Sequence, residues 1–488
     1  MSILIGLSSV NITPPAPVPL AGQFRFRLAR EVESPVLANV FAIENGDEQL
    51  IICSLELCGL YSAEMMELIR SGVKSECPDV QVEKIIVCAT HTHTGPTIIE
   101  SKYSYPGMLD PNYLPDGIKV IPNIEFPEDM WDSDKCREYI IGQTVKGICQ
   151  AWKSRKKGYF GAAFGRAVLG HNRRACYDDG SARLYGTTQT GTFTELEAGN
   201  DSGVELLYLF DDQKRPIGAL VNVACPAQTL EDMSYVSADY WAKVRDYVKK
   251  VLGEDFVIVG LLSAAGDQSP TDLVRRYRGK NQYYRRSDSF DSENNIKGAI
   301  EIGKRLGREI LDRLPEGEAI MKNEAVIKNE AYILDLPLRR VTASHYEDSL
   351  KKLRNKIVEF GTNEITPGQA SDIHIYAGDI KRYHVQDENP IVSTEIHIAR
   401  LDDIAFASNP FELFLDYGNR IKSNSPAAQT FLIQLSNGAL GYLPTQKAEK
   451  GSHYSAYVSS GHVGHEGGDL LVYKTLATLN RLWKSDKE

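Results

Sequence analysis

Two short motifs carry the residues best suited to chemistry. The first is Thr90-His91-Thr92-His93-Thr94-Gly95-Pro96. On an extended segment residues i and i+2 face the same side, so the imidazoles of His91 and His93 can converge on one metal ion. The same pair could instead hydrogen-bond to backbone in a buried loop. The second is Gly266-Asp267-Gln268-Ser269-Pro270. Glycine permits a tight turn, and proline holds the residue before it out of the helical region. Ser269 is thereby presented as a candidate nucleophile with Asp267 to orient its loop, or the stretch is an ordinary Asp/Ser turn. Cys225-Pro226 offers a thiol, and His462-x-x-His465-Glu466 either offers further ligands or is a glycine-rich polar loop.

These motifs need elements to hold them. Residues 82–88, 217–224 and 256–262 are apolar, β-branched runs that read as buried strands. They lead into His91/His93, Cys225 and Asp267/Ser269 respectively, and the carboxyl ends of strands are where ligands gather in α/β proteins. A hairpin is expected over 36–43 and 49–57 about Asn45-Gly46. Helical spacing covers 62–74, 132–156, 238–252, 296–313, 342–359, 414–423 and 469–484. Further strands are expected at 159–169, 203–211, 324–336, 430–435 and, as two short pieces, 394–408. The alternation predicts an α/β protein with a large mixed β-sheet core flanked by helices. Accumulated charge near 320–325 divides it into an N-terminal lobe, 1–320, and a C-terminal lobe, 321–488. The loops 101–130, 271–295 and 440–468 are long and irregular, a length that usually signals function or disorder.

The chain has 488 residues, 42% hydrophobic and 25% charged, which is ordinary globular usage. Its formal net charge of -10 argues against a nucleic-acid partner and against anionic lipid. No apolar run reaches the ~20 residues of a membrane span, and the first residues lack the features of a signal peptide, so a cytoplasmic location is expected. Cysteines 53, 58, 77, 88, 136, 149, 176 and 225 form no disulfide framework. They read as reduced thiols, mostly buried small hydrophobes, with Cys225 the exception.

The His-x-His motif resembles the Thr-His-Thr-His-Ser-Gly-Pro signature of the neutral ceramidases, and Gly266–Pro270 resembles their Gly-Asp-x-Ser-Pro segment, which carries the nucleophilic serine. Residues 6–15, His171-Asn172-Arg173-Arg174, Pro410-Phe411-Glu412, Leu435-Ser436-Asn437 with Gly441-Tyr442-Leu443-Pro444-Thr445, and Tyr454 are similar to further family segments in the same order. The resemblance runs from about residue 5 to 455. It implies the catalytic-domain fold of that family and a zinc-dependent amidohydrolase cleaving a ceramide-like N-acyl amide. The implied zinc ligands are His91, Glu412 and Tyr442. Where the family has a His-Pro dipeptide this chain has Cys225-Pro226, so Cys225 is expected either as a thiolate ligand or as a buried apolar residue. Ser269 is the implied nucleophile, His93 a proton shuttle, and Tyr454 and Arg173 donors to a developing oxyanion or to a substrate hydroxyl, with Asp239 nearby. The additional C-terminal β-domain and secretory signal of those ceramidases are not found in the sequence. This favours an alternative in which the same centre takes a small soluble ester, amide or lactone, sugar-derived ones included. Tyr103, Tyr105, Met108, Tyr113 and Leu114 could line a channel for an acyl chain, whereas 275–286, rich in Arg and Tyr, would suit a polyhydroxylated ligand. A metal-free binding protein on the same fold is the third reading.

Overall fold

The computed structural model describes residues 2–46, 48–60, 63–99, 109–115, 117–121, 126–275 and 292–484. Part of 101–130 and most of 271–295, including Tyr103, Tyr105, Met108 and positions 276–286, lie outside them.

Three mixed sheets organise the chain. The first has the order Ile85–Ala89, Gln49–Leu55, Leu37–Glu44, Leu4–Asn11, Lys156–Lys157. The second runs Val257–Leu262, Pro216–Val223, Gly203–Phe210, Tyr159–Arg166, and the third Ile327–Pro337, Ile391–Leu401, Ile404–Ser408, Gln429–Ile433. Each is antiparallel except for one parallel pair at an edge: 49–55 with 85–89, 216–223 with 257–262, and 404–408 with 429–433. The expected mixed α/β core is therefore divided among three sheets, the first two built before residue 320 and the third after it.

Side-chain alternation decides what each face does. Phe41, Ile43, Leu50, Ile52 and Ile86 of the first sheet, Leu207, Leu209, Leu220 and Val259 of the second, and Leu401, Phe406, Phe431 and Ile433 of the third meet in one central core. The alternate residues face outward beneath helices. Val40, Ala42, Ile51 and Val87 pack with residues of Ala63–Glu76 and Ser133–Lys153. Leu206, Tyr208 and Val221 pack under Tyr240–Leu252 and Ser292–Ala319. Ile396, Ile398 and Leu432 pack with Leu415–Asn424 and His465–Lys484. Strands buried on both faces read as continuous apolar runs, which is why their positions were legible.

Several boundaries differ from expectation. Residues Val82–Lys84 form a 3-10 turn and the strand begins at Ile85. A helix at Pro367–Val385 carries no clean apolar stripe. It starts with a capping box in which Thr366 and Gln369 satisfy each other's backbone N–H groups. With Ala343–Phe360 it makes a hairpin whose apolar side also takes Leu109, Tyr113 and Leu114. Within 440–468 the chain makes the short strand Tyr442–Leu443, the helix Gln446–Gly451 capped by Thr445, and the start of the last helix. Among the described residues no helix is long and apolar enough to cross a membrane.

One side chain ties the third sheet to the first. Asn437, at φ 52°, accepts from the backbone N–H of Val87 at 2.7 Å and donates to the carbonyl of Ile85 at 3.0 Å. Its own N–H donates to Val87 O at 2.8 Å. It thus takes the place of a neighbouring strand on the exposed edge of 85–89, directly before His91. An Asn437→Ala variant leaves a buried N–H and a carbonyl without partners and is expected to cost about 2–4 kcal/mol. Asn437→Gly relieves the positive φ and is expected to recover only about 1 kcal/mol of that. Urea unfolding of the three proteins checks this, and a glycine variant as stable as the parent would show that the side-chain bonds contribute nothing.

Candidate metal and nucleophile site

The three parallel strand pairs end on the same side, and the segments leaving them meet. Residues after Ala89 carry His91 and His93, those after Leu262 carry Asp267 and Ser269, and those after Ile433 carry Tyr442. Glu412 joins them because Glu412–Leu413 pairs in parallel with Tyr442–Leu443, residue 412 lying opposite 442. The turn before Asp267 touches this pair. Gly266 donates its N–H to Leu413 O at 2.8 Å, and a Cβ on Gly266 would stand 2.2 Å from Glu412 O. Only glycine allows that approach.

His91 sits at φ 65°, a conformation rare for a residue with a side chain and often found at functional sites. Its Nδ1 hydrogen-bonds the carbonyl of Cys58. The Nδ1 of His93 lies 3.3 Å from Glu231 Oε2. With Nδ1 of His91 engaged by an acceptor, its neutral ring presents a lone pair on Nε2, and Gln228 Nε2 donates to Nε2 of His93 at 2.8 Å. The two imidazole Nε2 atoms face each other at 3.3 Å, and Glu412 Oε2 lies 3.4 Å from that of His91. Burial resists charge on Glu412, but His91 and then Arg173 outweigh it and hold its carboxyl below the ordinary range. Burial likewise opposes protonation of His91, yet Cys58 and Glu412 raise its pKa. The Cys58 thiol, fully enclosed, is pulled down to about 5 because His93 and His91 outweigh the effect of its burial. Such a set of acceptors around one point suits a cation. Among the described residues, the one group of three or more His, Cys, Asp or Glu with donor atoms all within 4.8 Å is Cys58, His91 and His93.

Arg173 connects this centre to Ser269. Its Nη2 donates to Gly266 O at 2.8 Å and to Tyr442 OH at 3.3 Å, and lies 4.0 Å from Glu412 Oε2. Its Nη1 donates to Gln228 Oε1 at 3.3 Å and to Tyr185 OH at 3.4 Å. Tyr185 OH in turn donates to Ser269 Oγ at 3.2 Å, and the N–H of Thr271 donates to the same oxygen at 3.1 Å. Ser269 is buried on a two-residue strand opposite His171. Asp267 accepts from Asn172 Nδ2 at 2.8 Å and from Leu415 N at 2.9 Å, and burial pushes its carboxyl up to about 6. These two bonds tie the Ser269 loop to the segments that carry Asn172 and Leu415. Tyr454 packs edge-on against Tyr442, ring centroids 5.5 Å apart, and against Phe24 at 5.2 Å. The Tyr442 hydroxyl hydrogen-bonds Glu412.

Of the residues singled out from sequence, His91, His93, Glu412, Tyr442, Tyr454 and Arg173 come together, and Ser269 joins them through Tyr185. Two assignments change. His93 does not touch Ser269, because its Nε2 receives Gln228 Nε2 at 2.8 Å and faces His91. Cys225 stays out of the cluster. It is fully buried among Leu169, Val223, Ala227 and Leu230, its Sγ 3.7 Å from Pro226 O, and burial raises its thiol. The thiol beside the histidines is Cys58, its Sγ 3.8 Å from His91 Nδ1. Asp239 caps the helix Tyr240–Leu252 and accepts from Leu230 N at 2.6 Å, steadying the segment that carries Glu231. His465 pairs with Glu449 at 2.8 Å and takes no part in the cluster. Sequence reading did not find Cys58, Gln228, Glu231, Tyr185 or Arg27. The buried Arg27 donates to the carbonyls of Glu231 and Met233 at 2.7 Å and of Ala21 and His93 at 2.5 Å. None of the five sits in a spacing that marks it.

With this geometry in hand, the chain can be set beside known proteins. No protein-family model and no curated protein matches it. Among solved structures it is similar to a neutral ceramidase from Pseudomonas aeruginosa, with a TM-score of 0.68 and 16% identity over 99% of this chain and 75% of that one. It is also similar to a ceramidase complexed with C2, with a TM-score of 0.66 and 16% identity over 99% of this chain and 76% of that one. The chain has the fold of these structures.

Gly22 supplies a test of how tightly the His93 ring is held. At φ +91°, its added Cβ would stand 2.3 Å from His93 Cγ, whereas Gly253, at φ +93°, has open space there. Both alanine variants carry the same backbone strain, about 1 kcal/mol or more. Gly22→Ala is expected to lose a further 1–3 kcal/mol, roughly, from the collision. Equal urea midpoints for Gly22→Ala and Gly253→Ala would show that the ring yields freely.

Proposed function

We propose that the chain is a metal-assisted hydrolase of the ceramidase type, which cleaves an N-acyl amide of a lipid-like substrate by acyl transfer to Ser269. The observation that carries this reading is that His93 Nε2 and Glu412 both lie against His91 Nε2, that Tyr442 bonds Glu412 and Arg173, and that Arg173 leads through Tyr185 to Ser269. It occurs on a backbone similar to two ceramidase structures. Reactive groups at such a centre would have no purpose in a simple binding protein.

The donor set fits zinc: two imidazoles whose Nε2 atoms face each other, a carboxylate and a phenol, with His91, His93, Glu412 and Tyr442 to hold the ion once the Gln228 amide, which donates to His93 Nε2, gives way. When bound there, zinc supplies Lewis-acid polarisation of a carbonyl and a bound water of lowered pKa, ~7. The rest is the work of the protein's own groups. Arg173 donates to Tyr185, and Tyr185 and the N–H of Thr271 both donate to Ser269 Oγ. Donors in a row polarise one another and favour negative charge on that oxygen. Ser269 is therefore prepared for attack on an acyl carbon: its Oγ bonds that carbon as the C–N bond breaks, its proton leaves on the amine product, and water then releases the acyl group as an acid and restores the serine. Arg173 spans both halves of the site and is placed to hold charge that develops on the substrate between them. Tyr454, packed edge-on against Tyr442 and Phe24, offers a hydroxyl beside an apolar wall. Asp267 keeps the loop closed on Leu415.

The lipid-like substrate rather than a soluble ester, amide or lactone is favoured by the aromatic run from Tyr442 through Tyr454 and Phe24 to His374, whose neighbouring centroids are 5.5, 5.2 and 5.2 Å apart. A fluorescent N-acyl sphingosine and a panel of acylated sugars and lactones separate the two. The expected result is turnover of the sphingosine amide that falls about 10²–10⁴-fold in Ser269→Ala, with the Arg173→Met variant reduced by about 10²-fold or more. Activity confined to the soluble panel would replace the substrate class, and a Ser269→Ala variant of undiminished activity would remove the nucleophile.

A further inference from the structure

We infer that Cys58 is a thiolate ligand of the cation bound by His91 and His93, in place of a donor at position 225. The inference rests on the metal-assisted reading above and adds to it a sulfur donor from an unexpected segment.

Three observations carry it. First, Cys58 Sγ and one ring nitrogen from each of His91 and His93 lie within 4.8 Å of one another, with Cys58 and His91 buried and His93 half-buried. Second, the segment that bears Cys58 is fastened to the segment that bears the histidines. Its carbonyl accepts from His91 Nδ1, and the N–H of Thr92 donates to Leu57 O at 3.2 Å. The thiol is thereby held against the rings. Third, Cys225, the cysteine that sequence order would select, lies in the apolar core under the second sheet. Its carbonyl is taken by Tyr240 OH at 2.6 Å, which fixes that residue to the helix Tyr240–Leu252 and away from the histidines. Sulfur and imidazole together are the donors that select zinc over the hard divalent ions. The loop after Gln49–Leu55 therefore supplies a ligand that complements the one delivered by Ile85–Ala89, the parallel strand beside it.

X-ray absorption at the zinc edge, on the full chain loaded with one equivalent of zinc, tests this directly. The parent and Cys225→Ala are expected to show one sulfur scatterer at about 2.3 Å among nitrogen and oxygen donors. Cys58→Ser is expected to show none. Cobalt(II) loading gives an independent readout: a thiolate-to-metal charge-transfer band in the near ultraviolet that is present in the first two and missing from the third. Should Cys58→Ser fail to fold, the parent and Cys225→Ala spectra still decide, since sulfur retained without Cys225 leaves Cys58 as the thiol at the histidines. Zinc bound by nitrogen and oxygen alone in the parent would overturn the inference while leaving the metal-assisted reading intact. Loss of the sulfur signal in Cys225→Ala would overturn it in favour of that residue. A parent that binds no divalent metal would overturn both.

Discussion

Nitrogen lone pairs and a carboxylate that face one another inside a protein repel unless a positive charge lies between them. His91, His93 and Glu412 are held in that relation, and much of the surrounding structure serves to keep them there. The Cys58 carbonyl holds the His91 ring and the Gln228 amide holds the His93 ring. Gly22 lets the chain lie against the His93 ring, and Arg27 gathers the carbonyls of Ala21, His93, Glu231 and Met233 around one guanidinium. Gly266 lets the Ser269 loop lean on the backbone of Glu412. A buried polar cluster of this kind is costly unless every member is satisfied, so the segments bearing it are pinned at many points.

Two adjacent arginines divide the labour. Neighbouring residues on an extended segment point to opposite sides. Arg173 faces the reactive groups, and Arg174 turns into the protein, where it pairs with Glu197 at 2.7 Å and donates to the carbonyls of Ser452 and Tyr454 at 2.7 and 3.0 Å. One dipeptide thus sets the electrostatics of the site and anchors the loop that carries Tyr454. That loop is strained: Ser452, His453 and Ser455 all have positive φ, as do Leu435 and Asn437 earlier in the same stretch. Strained backbone persists only where its surroundings over-determine it, and the Arg174 fan of hydrogen bonds is that surrounding.

The thiol illustrates how a local pattern can point to the wrong partner. Sequence order aligned Cys225 with a ligand position, and the residue does follow a buried strand in the expected way. Its side chain nevertheless turns into the apolar layer beneath the helices. Cys58 had no distinguishing neighbours and read as one more small buried residue. Its nearness to His91 arises only because 49–55 and 85–89 are parallel neighbours, so that the chains leaving them run side by side. Gln228 and Tyr185 escaped notice for the same reason: each sits in a loop whose path depends on the packing of remote elements.

What the sequence by itself determined is the set of buried strands and most helices, because apolar periodicity and turn residues act locally. It also marked the motifs that follow the strands: His91-x-His93, Asp267-x-Ser269, Glu412 and Tyr442 with its flanking glycine. The helix Pro367–Val385 was lost to it, since the buried positions Ala370, Ile373, Ala377 and Ile380 stand out weakly among polar neighbours. Tertiary structure alone decided that the β-strands form three sheets around one core, that their parallel edges finish on the same side, and which thiol and which donors stand there. Those are outcomes of long-range pairing. Residues 33 to 350 positions apart, such as Cys58 and His91 or Asn437 and Val87, come into contact through strand order and sheet packing, and no local spacing along the chain encodes either.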